Sequence, residues 1–583
     1  MVEQTLEWTH AAAIVDVPPG SATAIKVGEG RSIALFNVDG RIYATDNQCP
    51  HMGYPLTRGA IRNGILTCDW HGRSFDLEGG GCFKYECDNL QTFPVDVRQG
   101  EIWIQAGATQ YQRREEHLRL LWEGLLSKDR WTISKAIALM LKGGVPEEDI
   151  VEMILRHLGR RIASANEETD SGGDVSRLIS GLKVGRRYRD ADRLMTLATA
   201  ASSVAGGSAE RLEVVPLPGH VAWESIEGWT RMFSRDGQSG RIERCLFTAR
   251  HLKYENRILP LLYECAVAPH FLGIADNLLS LGHLAEFVDT FGWDRSSELV
   301  FNLGAKLIGR QRGEPERFRR DAVDLMTSMI SSADTGSTPH STSSTYDEDA
   351  FVEALTGINI EKSFAALNDV LKAGIELDRL ITTLVLVAAD RMARTPVNVD
   401  AGWGALTTEL NLAASLRTAK RHGGDVVVAK GLFHAAWRLF ADRWINIPPR
   451  SLSAELGGAR LDVPSEDAGV ALILNSIASL KVQDVGRQVL EYLNSGYSGE
   501  RLLGEMGRAM VWDDTNTRIL PTLRTVFEEW EQLGNTNHPS RYQLLVGIAR
   551  YGTDIRTNKD SGSATNTAMR FAEGKTTVDV FAE

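Results

Sequence analysis

Two cysteine–histidine pairs, Cys49-Pro50-His51 and Cys68-Asp69-Trp70-His71, set the tightest limit on what the first hundred residues of this chain can become. Sixteen residues separate the pairs. Two thiolates suit one iron, and two neutral imidazoles suit another. Each pair brings one ligand of each kind and must project from its own loop, so that two loop tips clamp a binuclear centre between them. The residues in between carry turn signals at Gly59 and Asn63-Gly64, enough to supply strands that hold the tips together. A structural zinc on the same four side chains is the alternative. Zinc-finger spacing, however, pairs cysteine with cysteine and histidine with histidine.

Around these pairs the sequence reads as short strands. Ile33–Val38, Arg41–Thr45, Phe93–Val97 and Glu101–Gln105 are rich in β-branched and aromatic residues, with turns at Asp39-Gly40 and Gln99-Gly100. Beyond a polar connector the period changes. Leu118–Leu126 and Asn277–Val288 place apolar residues at i, i+3, i+4 and i+7, and almost no strand signal follows. The fold expected is multidomain: a small all-β domain over 1–107, a connector over 108–115, and a large all-α, repeat-like region. That region is expected in two halves, 116–330 and 350–583, joined by a Ser/Thr/Gly-rich linker or loop at 331–349. Softer stretches are read at 166–173 and 202–207, and the last 25 or so residues are expected to fray or wrap loosely.

An internal echo supports the helical reading. Ala136–Ile150, Ala366–Leu380 and Val489–Leu503 each run from an apolar helix through a glycine stop to a polar helix start, which predicts αα-hairpins. Pro218–Trp223 is echoed by Leu432–Trp437, which puts His220 and His434 at matching places. Stacked hairpins of related sequence predict a duplicated helical array, since one hairpin cannot bury its own apolar face.

A chain of 583 residues with a net charge of −12 is too long for one core and too acidic for nucleic acid or an anionic membrane to be its main partner. The arginines at Arg186–Arg189 and Arg310–Arg320 are interleaved with other residues and read as solvated surface. No apolar run reaches the length of a membrane span, and the N-terminus lacks the pattern of a signal peptide. Six cysteines in such a length are not a disulfide framework, so Cys82, Cys87, Cys245 and Cys265 are expected free and the location cytoplasmic.

The ligand pairs, the flanking His71-Gly72-Arg73-Ser74-Phe75-Asp76 and the Pro55–Gly59 turn together resemble the Rieske family, over the whole β domain. The resemblance implies a 2Fe–2S cluster held by Cys49, His51, Cys68 and His71. Membrane-complex members carry an extra, disulfide-forming cysteine in each loop; here those positions are Tyr54 and Trp70. Arg73 stands where such members have a serine that hydrogen-bonds the cluster. Fewer donors disfavour the more negative reduced state, so the resemblance is to the ferredoxin and oxygenase branch, at low potential. One-electron transfer through the outer edges of His51 and His71 is the expected role.

Ring-hydroxylating oxygenases place an iron-binding D/E-x-x-H-x(3–4)-H segment in the next domain, and no such segment exists here. Glu-x-x-His pairs of a bundle-type di-iron site are also missing from the helical part. What remains is a set of histidines on apolar segments: His220, His251, His270, His283 and His434. His270 and His283 lie thirteen residues apart, which along one straight helix is roughly 20 Å and a different face, so a shared ion would require a break at Gly273 or Gly282.

In texture the helical part is similar to the questin oxidase-like family of non-haem iron oxygenases acting on polyketide aromatics. That likeness implies that His434, and with it His220, His251, His270 and His283, ligate a mononuclear Fe(II). Lys430, one turn before His434, would be modulating or simply solvated. The function expected is a Rieske oxygenase taking electrons from a flavin-dependent reductase or other donor, for O2-dependent oxidation of a hydrophobic, aromatic small molecule. The alternative is a Rieske ferredoxin on a helical partner-binding scaffold with no second metal. The oxygenase reading requires at least three of the five histidines to converge.

Overall fold

The computed structural model describes residues 8–27, 31–83, 87–105, 110–164, 171–206, 214–310, 317–333, 346–396, 402–512, 518–534, 538–556 and 563–574. Residues 108–109 of the connector, 166–170 and 207 of the softer stretches, 311–316 of the second arginine segment and 334–345 of the expected linker lie outside these. The chain divides into two compact units, one formed by Met1–Met153 with Gly562–Glu583, the other by Ile154–Ser561.

The first unit holds all ten described strands: β1 (Thr9–Ala13), β2 (Ala22–Val27), β3 (Arg31–Val38), β4 (Arg41–Asp46), β5 (Ala60–Arg62), β6 (Ile65–Thr67), β7 (Ser74–Asp76), β8 (Thr92–Phe93), β9 (Val95–Arg98) and β10 (Glu101–Ile104). They form three antiparallel sheets ordered β1-β10-β9, β2-β3-β4-β8 and β5-β6-β7. Three hairpins turn on two consecutive positive-φ residues, Asp39-Gly40 (53° and 88°), Asn63-Gly64 (53° and 77°) and Gln99-Gly100 (53° and 85°). This is the geometry that matches the right-handed strand twist. The run read as one strand over Phe93–Val97 is two strands in different sheets, because Pro94 has no N–H for the ladder.

β3 is buried on both faces, and alternation along it feeds two cores. Ile33 and Leu35 pack with Ile42, Phe93, Ile102 and Ile104. Ala34 and Phe36 pack with Leu56, Leu66, Phe75 and the two cysteines Cys49 and Cys68. The cysteine pair is thereby tied to the most buried strand of the domain.

Three helices complete this unit, Gln110–Ser127, Arg130–Lys142 and Ser563–Ala572, joined by the first turns of Glu147–Ser164. The expectation that the last 25 or so residues only fray is corrected for 563–574. They form a helix against Arg130–Lys142, with Ala568 fully buried and the Phe571 ring 4.8 Å from Lys135 Nζ. Ala568, Met569, Phe571 and Ala572, at i, i+1, i+3 and i+4, are the apolar residues that its polar composition masked.

The regular secondary structure described in the second unit is all helical. The three echoed segments share one local geometry: a helix, a glycine with φ of 75° (Gly144), 71° (Gly374) or 83° (Gly496), and a second helix starting three residues later. In the first two, an amide beyond the glycine closes back on the helix (Val145 N to Met140 O, 2.9 Å; Ile375 N to Val370 O, 3.2 Å). No helix among the described residues is long and apolar enough to cross a membrane.

Buried ionisable groups are common in this unit, and they fix its pH response. His157 is 1% exposed, and burial, reinforced by Arg161, pulls it down to about 4. His283 is lowered in the same way, by burial, then Arg524 and Lys183. A histidine held neutral in the fold contributes stability that is complete above its unfolded value, near 6.5, and is lost as pH falls through the folded one. For His157 alone the loss between about pH 6.5 and 4 amounts to about 3 kcal/mol. Urea unfolding at pH 7 and pH 4.5, followed by helical circular dichroism, is expected to show it. The slope should flatten in His157→Gln.

Candidate metal centre

The two ligand loops are built alike. In the first, which follows β4, the Cys49 amide donates to Tyr54 O (2.9 Å) and the Gly53 amide donates back to Cys49 O (2.8 Å). In the second, between β6 and β7, the Cys68 amide donates to Arg73 O (2.8 Å) and the Gly72 amide to Cys68 O (3.0 Å). Each loop therefore runs from its cysteine to a glycine four residues on, with φ of 77° at Gly53 and 63° at Gly72. That common Cys-x-x-x-Gly spacing is a signal the ligand pattern alone did not use. The first loop is anchored at its root by Asn47, which accepts from Thr57 N (2.9 Å), donates to Ser32 Oγ (3.1 Å) and takes Leu56 N on its carbonyl (2.8 Å).

The four side chains meet as two pairs. Cys49 and Cys68 are both 1% exposed, and their thiols are hydrogen-bonded to one another. That bond pushes Cys49 up, with burial adding to it, and draws Cys68 down to about 6, helped by the Trp70 and His71 amides. The rings of His51 and His71 lie 4.8 Å apart at 90°. His51 is lowered, by burial first, then by Arg73, His71 and Lys135, which keeps its ring neutral. His51 Nδ1 is buried with no hydrogen-bond partner, an arrangement that a metal bond would satisfy. Two thiols facing two imidazoles, one with an orphaned ring nitrogen, fit a 2Fe–2S cluster of mixed ligation.

Tyr54 and Trp70, standing at the disulfide positions of the membrane-complex proteins, are in ring contact across the two loops (5.7 Å), and Trp70 also lies 4.3 Å from the His71 ring. His71 is exposed and Trp70 is 47% exposed, whereas His51 is half-buried. The difference comes from the helix Arg130–Lys142. Its Trp131 Nε1 donates to His51 O (2.9 Å), and its Lys135 Nζ donates to Pro50 O (2.6 Å) and pairs with Asp88 (2.7 Å). Neither residue was singled out by sequence reasoning, because a donor to a backbone carbonyl eighty residues away leaves no local pattern.

The five helical histidines are placed differently from one another. His220 is exposed in the segment leading into the helix Trp223–Arg235, and His251 is exposed at the end of Ser239–His251. His434 is buried inside Asp425–Ala441, with Nε2 3.2 Å from Val267 O. The echo that equated His220 with His434 therefore joins a loop to a helix interior. His270 sits in the short turn Pro269–Phe271, and the chain does break after it, at Gly273 (φ 89°). Gly282 and the buried His283 lie inside Ala275–Ile308, where His283 Nε2 is 3.4 Å from Ser176 Oγ. Lys430 lies one turn before His434 and is half-buried. Among the described residues, no three histidine, cysteine, aspartate or glutamate side chains are grouped to hold a single metal ion.

Comparison with known proteins agrees with the loops. Residues 7–94 match the model of the Rieske (2Fe–2S) domain. The ferredoxin component of a naphthalene 1,2-dioxygenase system from Pseudomonas aeruginosa is 32% identical over 101 residues, 17% of this chain and 96% of that protein. The ferredoxin component of a p-cumate 2,3-dioxygenase system from Pseudomonas putida is 32% identical over 95 residues, 16% of this chain and 80% of its own. Among solved structures, a Sphingomonas yanoikuyae B1 ferredoxin is matched at 29% identity over 17% of this chain and all of that one, with a TM-score of 0.17.

Proposed function

Because the chain belongs, through its first hundred residues, to the Rieske (2Fe–2S) domain family, we propose that it carries single electrons, with Cys49, His51, Cys68 and His71 as the cluster ligands. The observation that carries this reading is the pairing of two buried, mutually hydrogen-bonded thiols with two imidazoles across two matching loops. A bound 2Fe–2S cluster supplies reversible one-electron oxidation and reduction. The residues of this chain do the rest. Cys49 and Cys68 exclude water from one side, and Trp131 holds the His51 carbonyl. His71, exposed and in tilted ring contact with Trp70, offers the edge through which an electron enters and leaves.

The partners we propose are a flavin-dependent reductase or another donor on one side and, as the dioxygenase systems of the relatives suggest, an oxygenase-type acceptor on the other. All six cysteines are outside any disulfide, which suits a reducing, cytoplasmic setting. The fuller reading, in which the helical unit is itself the oxygenase with a mononuclear Fe(II), draws its support from the dioxygenase systems of those relatives alone.

Iron, zinc and acid-labile sulfide per chain on anaerobically purified protein test these readings together. About two irons with two sulfides are expected for the cluster alone. A third iron would favour the oxygenase reading, and one zinc without sulfide would overturn both.

A further inference from the structure

Trp131 and Lys135 stand four apart on one helix face, and both donate to carbonyls of the first ligand loop, at His51 (2.9 Å) and Pro50 (2.6 Å). This helix lies outside residues 7–94, the extent of the Rieske match. Its N-terminal end is fixed twice over. Asp129 caps it by accepting from Trp131 N (3.1 Å) and Thr132 Oγ1 (2.5 Å). The preceding helix packs so closely that a Cβ on Gly124 would come within 2.9 Å of Ile133 N. Lys135 is 4% exposed, an unusual place for an ammonium, and its charge is answered by Asp88 at 2.7 Å. The Asp88 side chain is 32% exposed against 5% for Lys135, so water screens the carboxylate far more than the ammonium.

We infer that Lys135 is a positioning residue that raises the reduction potential of the centre in the adjoining loops, a device supplied by the helical extension to a domain otherwise short of donors. The inference rests on the electron-transfer reading above. Adding an electron makes the site more negative, and a fixed, poorly screened positive charge favours that state. The hydrogen bond to Pro50 O places the charge against the backbone that carries His51, and Trp131 keeps the same stretch from shifting.

The test is a redox titration of the full-length chain, with visible absorption and electron paramagnetic resonance reporting the reduced fraction. At the wild-type midpoint, Lys135→Met is expected to lower the ratio of reduced to oxidised centre about tenfold, equivalent to about 59 mV for one electron. Lys135→Arg, which keeps the charge, is expected to restore most of that ratio. Asp88→Asn, which removes the compensating charge, is expected to move it the other way. A Lys135→Met titration that overlays the wild type overturns the inference. So does Lys135→Arg falling as far as Lys135→Met, or Asp88→Asn failing to rise; these two also decide the matter if Lys135→Met loses its cluster. Sulfide absent from the wild type would instead refute the electron-transfer reading itself.

Discussion

Cys68→Ser is expected to remove the iron and acid-labile sulfide of this protein while leaving its helices intact. Cys68 is the member of the thiol pair drawn down by its bond to Cys49 and by the Trp70 and His71 amides, and its substitution removes one of the two proposed sulfur ligands. A serine hydroxyl is nearly the same size and can still accept from the Trp70 and His71 amides that now serve the sulfur. It does not ionise near neutrality, and it leaves Cys49 as the sole thiolate of the site. Sulfide should fall from about two per chain to background, with the circular dichroism unchanged. Cys82→Ser is the control: Cys82 packs beside the same core but belongs to neither ligand loop, so its sulfide content is expected to match the wild type. Full sulfide in Cys68→Ser would show that another ligand set holds the cluster.

The second large effect is expected in the helical unit, at Arg391→Met. Arg391 and Glu409 are 4% and 3% exposed and meet through two bonds (2.9 and 3.2 Å), with Arg391 also donating to Asp442 O (3.3 Å). Burial pushes Glu409 up to about 8 even with Arg391 drawing it down. Removing the arginine leaves a buried carboxyl group without its partner, at a cost of about 3–5 kcal/mol. Glu409 then keeps its proton in the fold to still higher pH, while the unfolded chain releases it near the ordinary carboxylate value. Stability therefore falls as pH rises through that window, and the deficit against wild type should be larger at pH 9 than at pH 6. Denaturant unfolding at both values measures it. The double variant Arg391→Met/Glu409→Leu, which removes both charges, is expected to recover most of the loss. A single variant as stable as wild type would show that the pair contributes nothing net.

The Rieske pattern of the first domain and the change from strand to helix were legible because both are local. A cysteine and a histidine within one tight loop announce themselves by spacing, and so do two positive-φ residues such as Asn63-Gly64. Pro94 could have been used in the same way, to divide Phe93–Val97 into the two strands it forms. Trp131 and Lys135 were out of reach because their partners are backbone atoms, which carry no side-chain identity to recognise. The His220–His434 echo misled for the opposite reason: six similar residues served as a loop in one place and a helix interior in the other, where surrounding packing decided the conformation. The Ser563–Ala572 helix was hidden by its polar composition, since a helix that buries only one narrow stripe needs few apolar residues.

That last helix gives the molecule a timetable. It lies against Arg130–Lys142, yet about 420 residues of other structure separate the two in the chain. At roughly 5–20 residues per second, a ribosome takes about 20 to 80 s to cross that interval. Throughout it the strands, both ligand loops, Trp131 and Lys135 have already been made, while Phe571, the ring that will lie beside Lys135, has not. The end of the nascent chain that carries the four proposed ligands is thus complete long before its last described neighbouring helix arrives.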